Sequence, residues 1–301
     1  MIVAAVDIGS TSTRFLVTDG RGDLHRQATV TGLGRGLDER GTLADQAVAA
    51  TLAVLAEAAE AAACHGAAVV HAVATSGLRR ALDAERFLDR AAEVLGVRPE
   101  IIDGAAEGQL AFAGATGRLD PALGPFVVVD LGGGSCEFAV GSAGRCDGVF
   151  SAEFGAARLT ETYIEHDPPR PEELVACLSI VEAHLEDVRQ ALPGVADART
   201  WVGVAGTFNT FAAVDLGLAE YQRQLVNGFE LTKVAAEDVY RTLVTERFAD
   251  RIHNPGLSRD RAEVIVGGAC AVVAIFRGFG LDRMMISDDD ALDGLAARLL
   301  G

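Results

Sequence analysis

Two stretches of this chain repeat one chemical pattern. Residues 4–17 read AAVDIGSTSTRFLV and residues 127–140 read VVVDLGGGSCEFAV. Aligned, Asp7 falls on Asp130, Gly9 on Gly132, Ser12 on Ser135 and Phe15 on Phe138. Each copy is an apolar run, a carboxylate, a turn of Gly, Ser or Thr, and a second apolar run, which predicts strand, tight turn, strand. The consecutive Gly132, Gly133 and Gly134 leave backbone N–H groups unshielded and free to adopt positive φ. Such a loop can wrap an anion in a nest of donors. The first copy offers the hydroxyls of Ser10, Thr11, Ser12 and Thr13 instead. Asp130 ends its strand at the glycine loop, and Glu137, two residues beyond Ser135, shares the Ser135 face of the next strand. Two acids beside an anion nest make chemical sense with a hard cation between them and a phosphate, which points to Mg2+ or Mn2+. Asp7, the counterpart of Asp130, joins them as a candidate ligand. The plainer alternative, a glycine-rich hairpin with incidental acids, loses ground because the pattern occurs twice. Neither copy is a Walker loop, since neither ends in Gly-Lys-Ser/Thr.

The elements that must hold these loops follow from periodicity. Strands are predicted to Asp7, over 13–18 and over 24–31. An alanine-rich helix is predicted over 44–65, alanine being the best helix former. A strand over 67–74 precedes a helix over 83–95, with Phe87, Ala91 and Leu95 on one face. A short strand at 100–103 leads to a helix over 105–115. Residues 118–125 contain Asp120, Pro121, Gly124 and Pro125 and mark a boundary between domains 1–122 and 123–301. The order then repeats. Strands fall at 126–130, 136–140 and 148–152, and a helix starts at 156. Pro168, Pro169 and Pro171 interrupt the chain and open a helix striped by Leu174, Leu178, Val181, Leu185 and Val188. A strand at 200–204, a helix after Gly206, a helix over 261–279, a strand over 283–287 and a helix from 290 complete the pattern. The fold class is α/β, with two duplicated domains and a cleft between them. The final helix is expected to pack back on the first domain.

Composition narrows the partners. Forty-three Asp and Glu against 26 Lys and Arg give a net charge of -17 over 301 residues. That argues against nucleic acid and membrane surfaces as general partners. A polyphosphate ligand would need local cations against this field, and with Lys233 the only lysine they must be arginines or a metal. Five scattered cysteines form no C-x-x-C pair, so neither a disulfide framework nor a zinc site is indicated. Cys136 could be a thiol nucleophile beside an anion loop, but alternation turns it to the face opposite Ser135 and Glu137, as a core thiol. The N-terminus has no basic segment and Asp7 interrupts its apolar run, so no signal peptide is expected. No apolar stretch reads as long and uncharged enough to span a bilayer. These features predict a cytoplasmic protein.

The motifs together resemble the exopolyphosphatase / guanosine pentaphosphate phosphatase (Ppx/GppA) family, within the actin, sugar-kinase and heat-shock-protein fold group. The resemblance covers the whole chain. Residues 4–17 are similar to that family's first phosphate loop and residues 127–141 to its second. AVATSGLRRAL, residues 72–82, resembles a segment that contributes a phosphate-facing arginine, by position Arg79, although the Arg79–Arg80 pair could also be solvated. IIDGAAEGQLAFAG, residues 101–114, resembles the stretch with the catalytic glutamate. Ala105 and Ala106 stand where the family often has further acids, and Gly108 where alanine is usual, which leaves Glu107. From the residues alone, Glu107 lies in the first turn of a helix and could be only a partner of the helix dipole. VGVAGTFNTFAA, residues 202–213, resembles the loop that holds adenosine in kinases of the group. It makes Gly203, Gly206 and Thr207 candidate nucleoside contacts; the alternative is a strand-to-helix turn with Thr207 as N-cap. ISDDDALDGLA, residues 286–296, departs from the family: Asp289 and Asp290 replace glycines and Asp293 replaces glutamate, an ending that short members share.

The resemblance implies two actin-like (ribonuclease H-like) domains without the C-terminal helical domain of longer members. It implies Mg2+-dependent hydrolysis of the terminal phosphoanhydride of inorganic polyphosphate, with release of orthophosphate. In that reading Glu107 and Arg79 are catalytic, Ser10–Thr13 and Gly132–Ser135 bind phosphate, and Asp130, Glu137 and Asp7 serve the metal. The alternatives are a guanosine pentaphosphate (pppGpp) phosphohydrolase and a non-catalytic sensor of polyphosphate or nucleotides. A homodimer is a further expectation.

Overall fold

Each Asp-bearing loop sits at the carboxyl end of a central strand in its own sheet. The computed structural model describes residues 1–142 and 144–301. The first half runs β1 (Val3–Ile8), β2 (Ser12–Thr18), β3 (Asp23–Val30), α1 (Leu37–Arg40), α2 (Asp45–Cys64), β4 (Val69–Ala74), α3 (Ser76–Arg80), α4 (Ala84–Leu95), β5 (Glu100–Ile101) and α5 (Gly104–Thr116). The second half opens in the same way with β6 (Phe126–Leu131), β7 (Cys136–Ser142), β8 (Arg145–Ala152), α6 (Ala156–Tyr163), α7 (Pro171–Ala191), β9 (Thr200–Val204) and α8 (Ala205–Asp215). It continues through α9 (Arg223–Val226), β10 (Phe229–Thr232), α10 (Lys233–Thr245), α11 (Phe248–Arg251), α12 (Arg259–Ala262), α13 (Ile265–Phe279), β11 (Arg283–Ile286) and α14 (Ala291–Leu300).

The sheets have the orders β3-β2-β1-β4-β5 and β10-β11-β9-β6-β7-β8. In both, a three-strand antiparallel meander is followed by a strand parallel to its first member, β4 beside β1 and β9 beside β6. This is the duplicated α/β architecture that the repeated motif predicts. Register places the repeated acids opposite telling partners. Asp7 faces Arg14 across β1–β2, and Asp130 faces Glu137 across β6–β7. The equivalent cross-strand position therefore carries a cation in one half and an acid in the other.

Both sheets are covered on both faces, so the central strands β1 and β6 are buried along their whole length and apolar except at Asp7 and Asp130. One core lies between the first sheet and α2 and α4. A second lies under α7, α8, α10 and α13. A third joins the halves, from Val3, Ala5 and Leu16 on one sheet to Val128, Ala139 and Val202 on the other, with α5 and α14 between them. The predicted boundary at 122/123 falls between α5 and β6, and packing crosses it both ways: α5 lies on β6, β7 and β8, while α14 lies on β1 and β2. The two helices cross where Gly114 meets the Asp290 carbonyl and Gly294 meets the Leu110 carbonyl. A Cβ at either position would collide with that backbone oxygen.

Sequence reading did not anticipate β10 and α10. The strand is four residues long, and Thr232 caps the helix by accepting from the Ala235 N–H at 3.2 Å. The reading of apolar stretches is also corrected. Helix α2 is long and apolar enough, by length and composition, to cross a membrane. Its buried stripe of Val48, Thr51, Val54, Leu55, Ala58, Ala61 and Ala62 packs on the first sheet and α4, as a core helix does.

Candidate active site

The repeated loops face one another across a cavity of about 70 Å³ between the halves. Its lining includes Asp7, Ser10, Thr11, Ser12 and Arg14 from the first loop and Asp130 with Gly132–Ser135 from the second. Glu107 reaches it from the first turn of α5, and Thr75 and Ser76 from the start of α3. The loops are in contact. A Cβ on Gly133 would collide with the Thr11 hydroxyl, and one on Gly134 would stand 2.7 Å from Ser76 Oγ and 2.9 Å from Ser10 Oγ. Glycine at 133 and 134 is therefore required by close approach.

Glu107 is placed by its helix. Asp103 caps α5 through the Ala106 N–H at 2.8 Å, which fixes where the first turn begins. The Glu107 carboxylate, 9% exposed, accepts from Arg79 Nη1 at 2.8 Å. Arg79 also donates to the Ile102 carbonyl at 2.9 Å, and its second nitrogen lies 3.9 Å from Glu137 Oε1. The expected arginine thus sits behind the glutamate and is not among the residues lining the cavity. Burial raises the pKa of Glu107, and the Arg79 charge opposes that rise. Burial raises Asp130 and Glu137 well above the usual carboxylate range; Arg14 opposes the rise at Asp130, while Glu107 and Asp130 add to it at Glu137.

Arg14 holds the other flank. It forms ion pairs with Asp7 and Asp290, with Nε 3.0 Å from Asp7 Oδ2. Burial disfavours its charge, but Asp290, Asp7 and Asp130 more than reverse that, so its pKa is raised. The acidic run 288–290 now has a structural account. Asp290 and Asp293 form a capping box on α14, and Asp288 and Asp289 bind Arg223.

Three buried polar atoms of residues lining the cavity have no partner, Asp7 Oδ1, Ser10 Oγ and Thr11 Oγ1; Glu137 does not line it, its Oε1 accepting from Ser151 Oγ at 2.7 Å while its buried Oε2 is also unpartnered. Leaving such groups unpaired costs stability, so they mark where a ligand belongs. Among the described residues one set of metal-binding atoms lies close together, Glu165, His166 and Glu173. It is internally satisfied, because Glu173 accepts from His166 Nδ1 at 2.6 Å and from the Arg170 N–H at 2.9 Å. The cleft acids form no such set among the described residues.

The candidate nucleoside residues divide. Gly206 and Thr207 line the cavity. Gly203 does not; a Cβ there would press on Phe208 and Met284, so its smallness serves the core. Thr207 is the third residue of α8 and not its cap, which is Val204. Ala205 between them has φ 71°, a left-handed conformation costly for alanine. Thr13 is buried against Thr31 at 3.0 Å, beneath the loop. Cys136 is buried in the second core. Sequence reading missed Thr75, Ser76 and Arg261. Arg261 lies against Gly206, whose missing side chain leaves room for the guanidinium, and lines both this cavity and a larger one of about 930 Å³ beside it.

A profile of the Ppx/GppA phosphatase family matches residues 16–300. The chain belongs to that family. It is 36% identical over 316 residues to Exopolyphosphatase 2 of Mycobacterium tuberculosis, covering 99% of this chain and 98% of that protein. It is 25% identical to Exopolyphosphatase 1 of Mycobacterium leprae, covering 100% and 90%. Among solved structures, an exopolyphosphatase-like protein superposes with a TM-score of 0.95 at 30% identity, covering 99% of this chain and all of the other. The Aquifex aeolicus member of the Ppx/GppA family superposes at 0.83 and 31%, covering 100% and 98%. These likenesses agree with the duplicated α/β fold.

Proposed function

We propose that this Ppx/GppA phosphatase is an exopolyphosphatase, which hydrolyses the terminal phosphoanhydride of inorganic polyphosphate and releases orthophosphate. The observation that carries this reading is the Glu107 carboxylate, buried yet facing a cavity walled by two anion-binding loops. Phosphoryl transfer needs positioning and charge neutralisation more than covalent chemistry. The N–H groups of Gly133–Ser135 and the unpartnered hydroxyls of Ser10 and Thr11 hold the phosphates in line, whereas the Gly132 N–H closes the loop on the Ser135 carbonyl at 3.1 Å. Glu107 orients a water and takes its proton. Arg79 favours the ionised form of Glu107 that this requires. Asp130, Glu137 and Asp7 would hold Mg2+ or Mn2+, directly or through water, and the ion would neutralise phosphate charge. The unpaired Asp7 Oδ1 and Glu137 Oε2 support that placement. Arg14 limits the net negative charge that the acids present to a polyanion.

The second reading, pppGpp hydrolysis, is favoured by the 930 Å³ cavity adjoining the cleft, which has the size of a ligand pocket. Asn209, whose Oδ1 is unpartnered, lines it. Recognition of guanine calls for an acid that can accept its two N–H groups. Asp288 and Asp290 reach this cavity, but Asp288 already accepts from Asn209 and from Arg223 Nε at 2.9 Å, and Asp290 from Arg14 and from the Leu292 N–H at 2.9 Å. We therefore infer that polyphosphate is the better substrate. Steady-state phosphate release from short polyphosphate, long polyphosphate and pppGpp, with and without Mg2+, tests this. Short polyphosphate is expected to have the highest kcat/KM; a higher value for pppGpp would make the second reading the better one.

A further inference from the structure

Outside the cavity, three charged side chains meet in an arrangement that the reaction does not use. Asp38, on the short α1, is shared by two arginines from opposite halves of the protein. It forms an ion pair with Arg80 of α3, and its Oδ2 lies 3.1 Å from Arg158 Nε of α6. The Arg80 side chain and the Arg158 backbone touch the glycine loop. A Cβ on Gly134 would stand 3.0 Å from Arg80 Nη2, and the Arg158 N–H donates to the Gly133 carbonyl at 3.0 Å. The Arg80 and Arg158 side chains are 22% and 30% exposed, so both can be reached from solvent. Their remaining counter-ion is the exposed Glu153, 2.7 Å from Arg158 Nη1. Two exposed carboxylates thus balance two arginines, and burial together with the neighbouring Arg158 and Arg79 lowers the pKa of Arg80 while Asp38 and Glu153 oppose this.

We propose that Arg80 and Arg158 form an outer anion subsite for the phosphates of a polyphosphate chain lying beyond the reaction cleft, and that Asp38 is an internal counter-ion which those phosphates displace. This rests on the exopolyphosphatase reading and adds how the chain is gripped outside the cleft. Two observations set the exchange. Asp38 is 44% exposed, so removing it from the arginines strands no buried charge. Arg14, by contrast, is held by two buried aspartates, and breaking such a pair leaves an uncompensated buried charge. A bridging phosphate would also present several oxygens to two guanidiniums, a pairing that favours bidentate geometry. Because Asp38 and Arg80 belong to the first half and Arg158 to the second, an occupied subsite would tie the halves together across the cleft mouth.

The test is equilibrium binding, by calorimetry without metal, of tripolyphosphate and of medium-length polyphosphate to the full chain and its variants. Asp38→Asn is expected to tighten binding of the longer chain about two- to fivefold, the range of an exposed ion pair, with less change for tripolyphosphate. Arg158→Gln is expected to weaken binding of the longer chain about tenfold and to erase the gain from Asp38→Asn in the double variant. Melting curves confirm folding, and Arg80→Gln replaces Arg158→Gln if the latter does not fold. Unchanged or weakened binding in Asp38→Asn, an equal effect on both lengths, or a gain that survives in the double variant would overturn the proposal. Phosphate release by the unaltered protein separates the two readings. Its absence counts against the exopolyphosphatase reading, whereas the binding comparison alone decides the subsite.

Discussion

Replacing Arg79 by Gln separates two roles that this arginine could have. The family resemblance assigns it to the transferred phosphate, whereas the structure seats it on Glu107 at 2.8 Å. If its work is to keep Glu107 ionised, the loss must appear in the pH profile. Two unit charges about 4 Å apart attract by ~4 kcal/mol at an effective dielectric of ~20. Solvent access to the partly exposed guanidinium reduces this to ~2 kcal/mol. At 1.36 kcal/mol per pH unit, that moves a titration by rather more than about one unit. The sign follows from the chemistry. Burial already raises the pKa of Glu107, and a general base works only when ionised, so activity is present above that pKa and lost as pH falls through it. Without Arg79 the acid limb of kcat/KM moves to higher pH, and raising the pH restores part of the rate. The assay is phosphate release from tripolyphosphate across the acid and neutral range at saturating Mg2+. A uniform loss of rate with an unmoved acid limb would refute the reasoning and return Arg79 to the phosphate.

Two further outcomes follow from the geometry. Asp130→Ala and Glu137→Ala should each raise the Mg2+ concentration needed for half-maximal activity, read from metal titrations; full activity in excess EDTA would contradict any metal role. Gly114→Ala should lower stability by ~2–3 kcal/mol and Tm by about 5 °C, because its Cβ meets the Asp290 carbonyl, which cannot yield as a side chain could. Gly22→Ala, where nothing lies within 4 Å, is the matched control and should be nearly neutral in the same melting experiment.

The legible parts of this protein were those written in local pattern. The duplicated strand–turn–strand could be read from spacing because Asp7 and Asp130 end apolar runs and are followed by small residues. The position of Glu107 after a strand and in the first turn of α5 was readable, but the residues alone left it open between a base and a helix-dipole partner, and only the family resemblance singled it out. What escaped depends on partners far apart in the chain. Arg14 stood in plain view inside the first motif, but its pairing with Asp290 joins residues at opposite ends of the chain. Arg261 could not be placed because its signal lies in Gly206, whose missing side chain makes room for it. Thr207 was misread as a cap because α8 begins two residues earlier than the glycine suggested, at an alanine in a left-handed conformation. The exchange of α5 and α14 between sheets is carried by Gly114 and Gly294, which look unremarkable in a helix until their backbones are seen to touch.

The central claim is that Glu107, between the two loops, is the base of a phosphoanhydride hydrolysis. The most direct measurement compares Glu107→Gln with the unaltered protein on the same short polyphosphate, reading kcat from phosphate release and affinity from equilibrium binding. The substitution keeps the shape of the side chain and removes the base. The account predicts that kcat falls by about 10²–10⁴-fold, with binding changed by no more than a few-fold. A kcat within a few-fold of the unaltered protein would remove Glu107 from the chemistry.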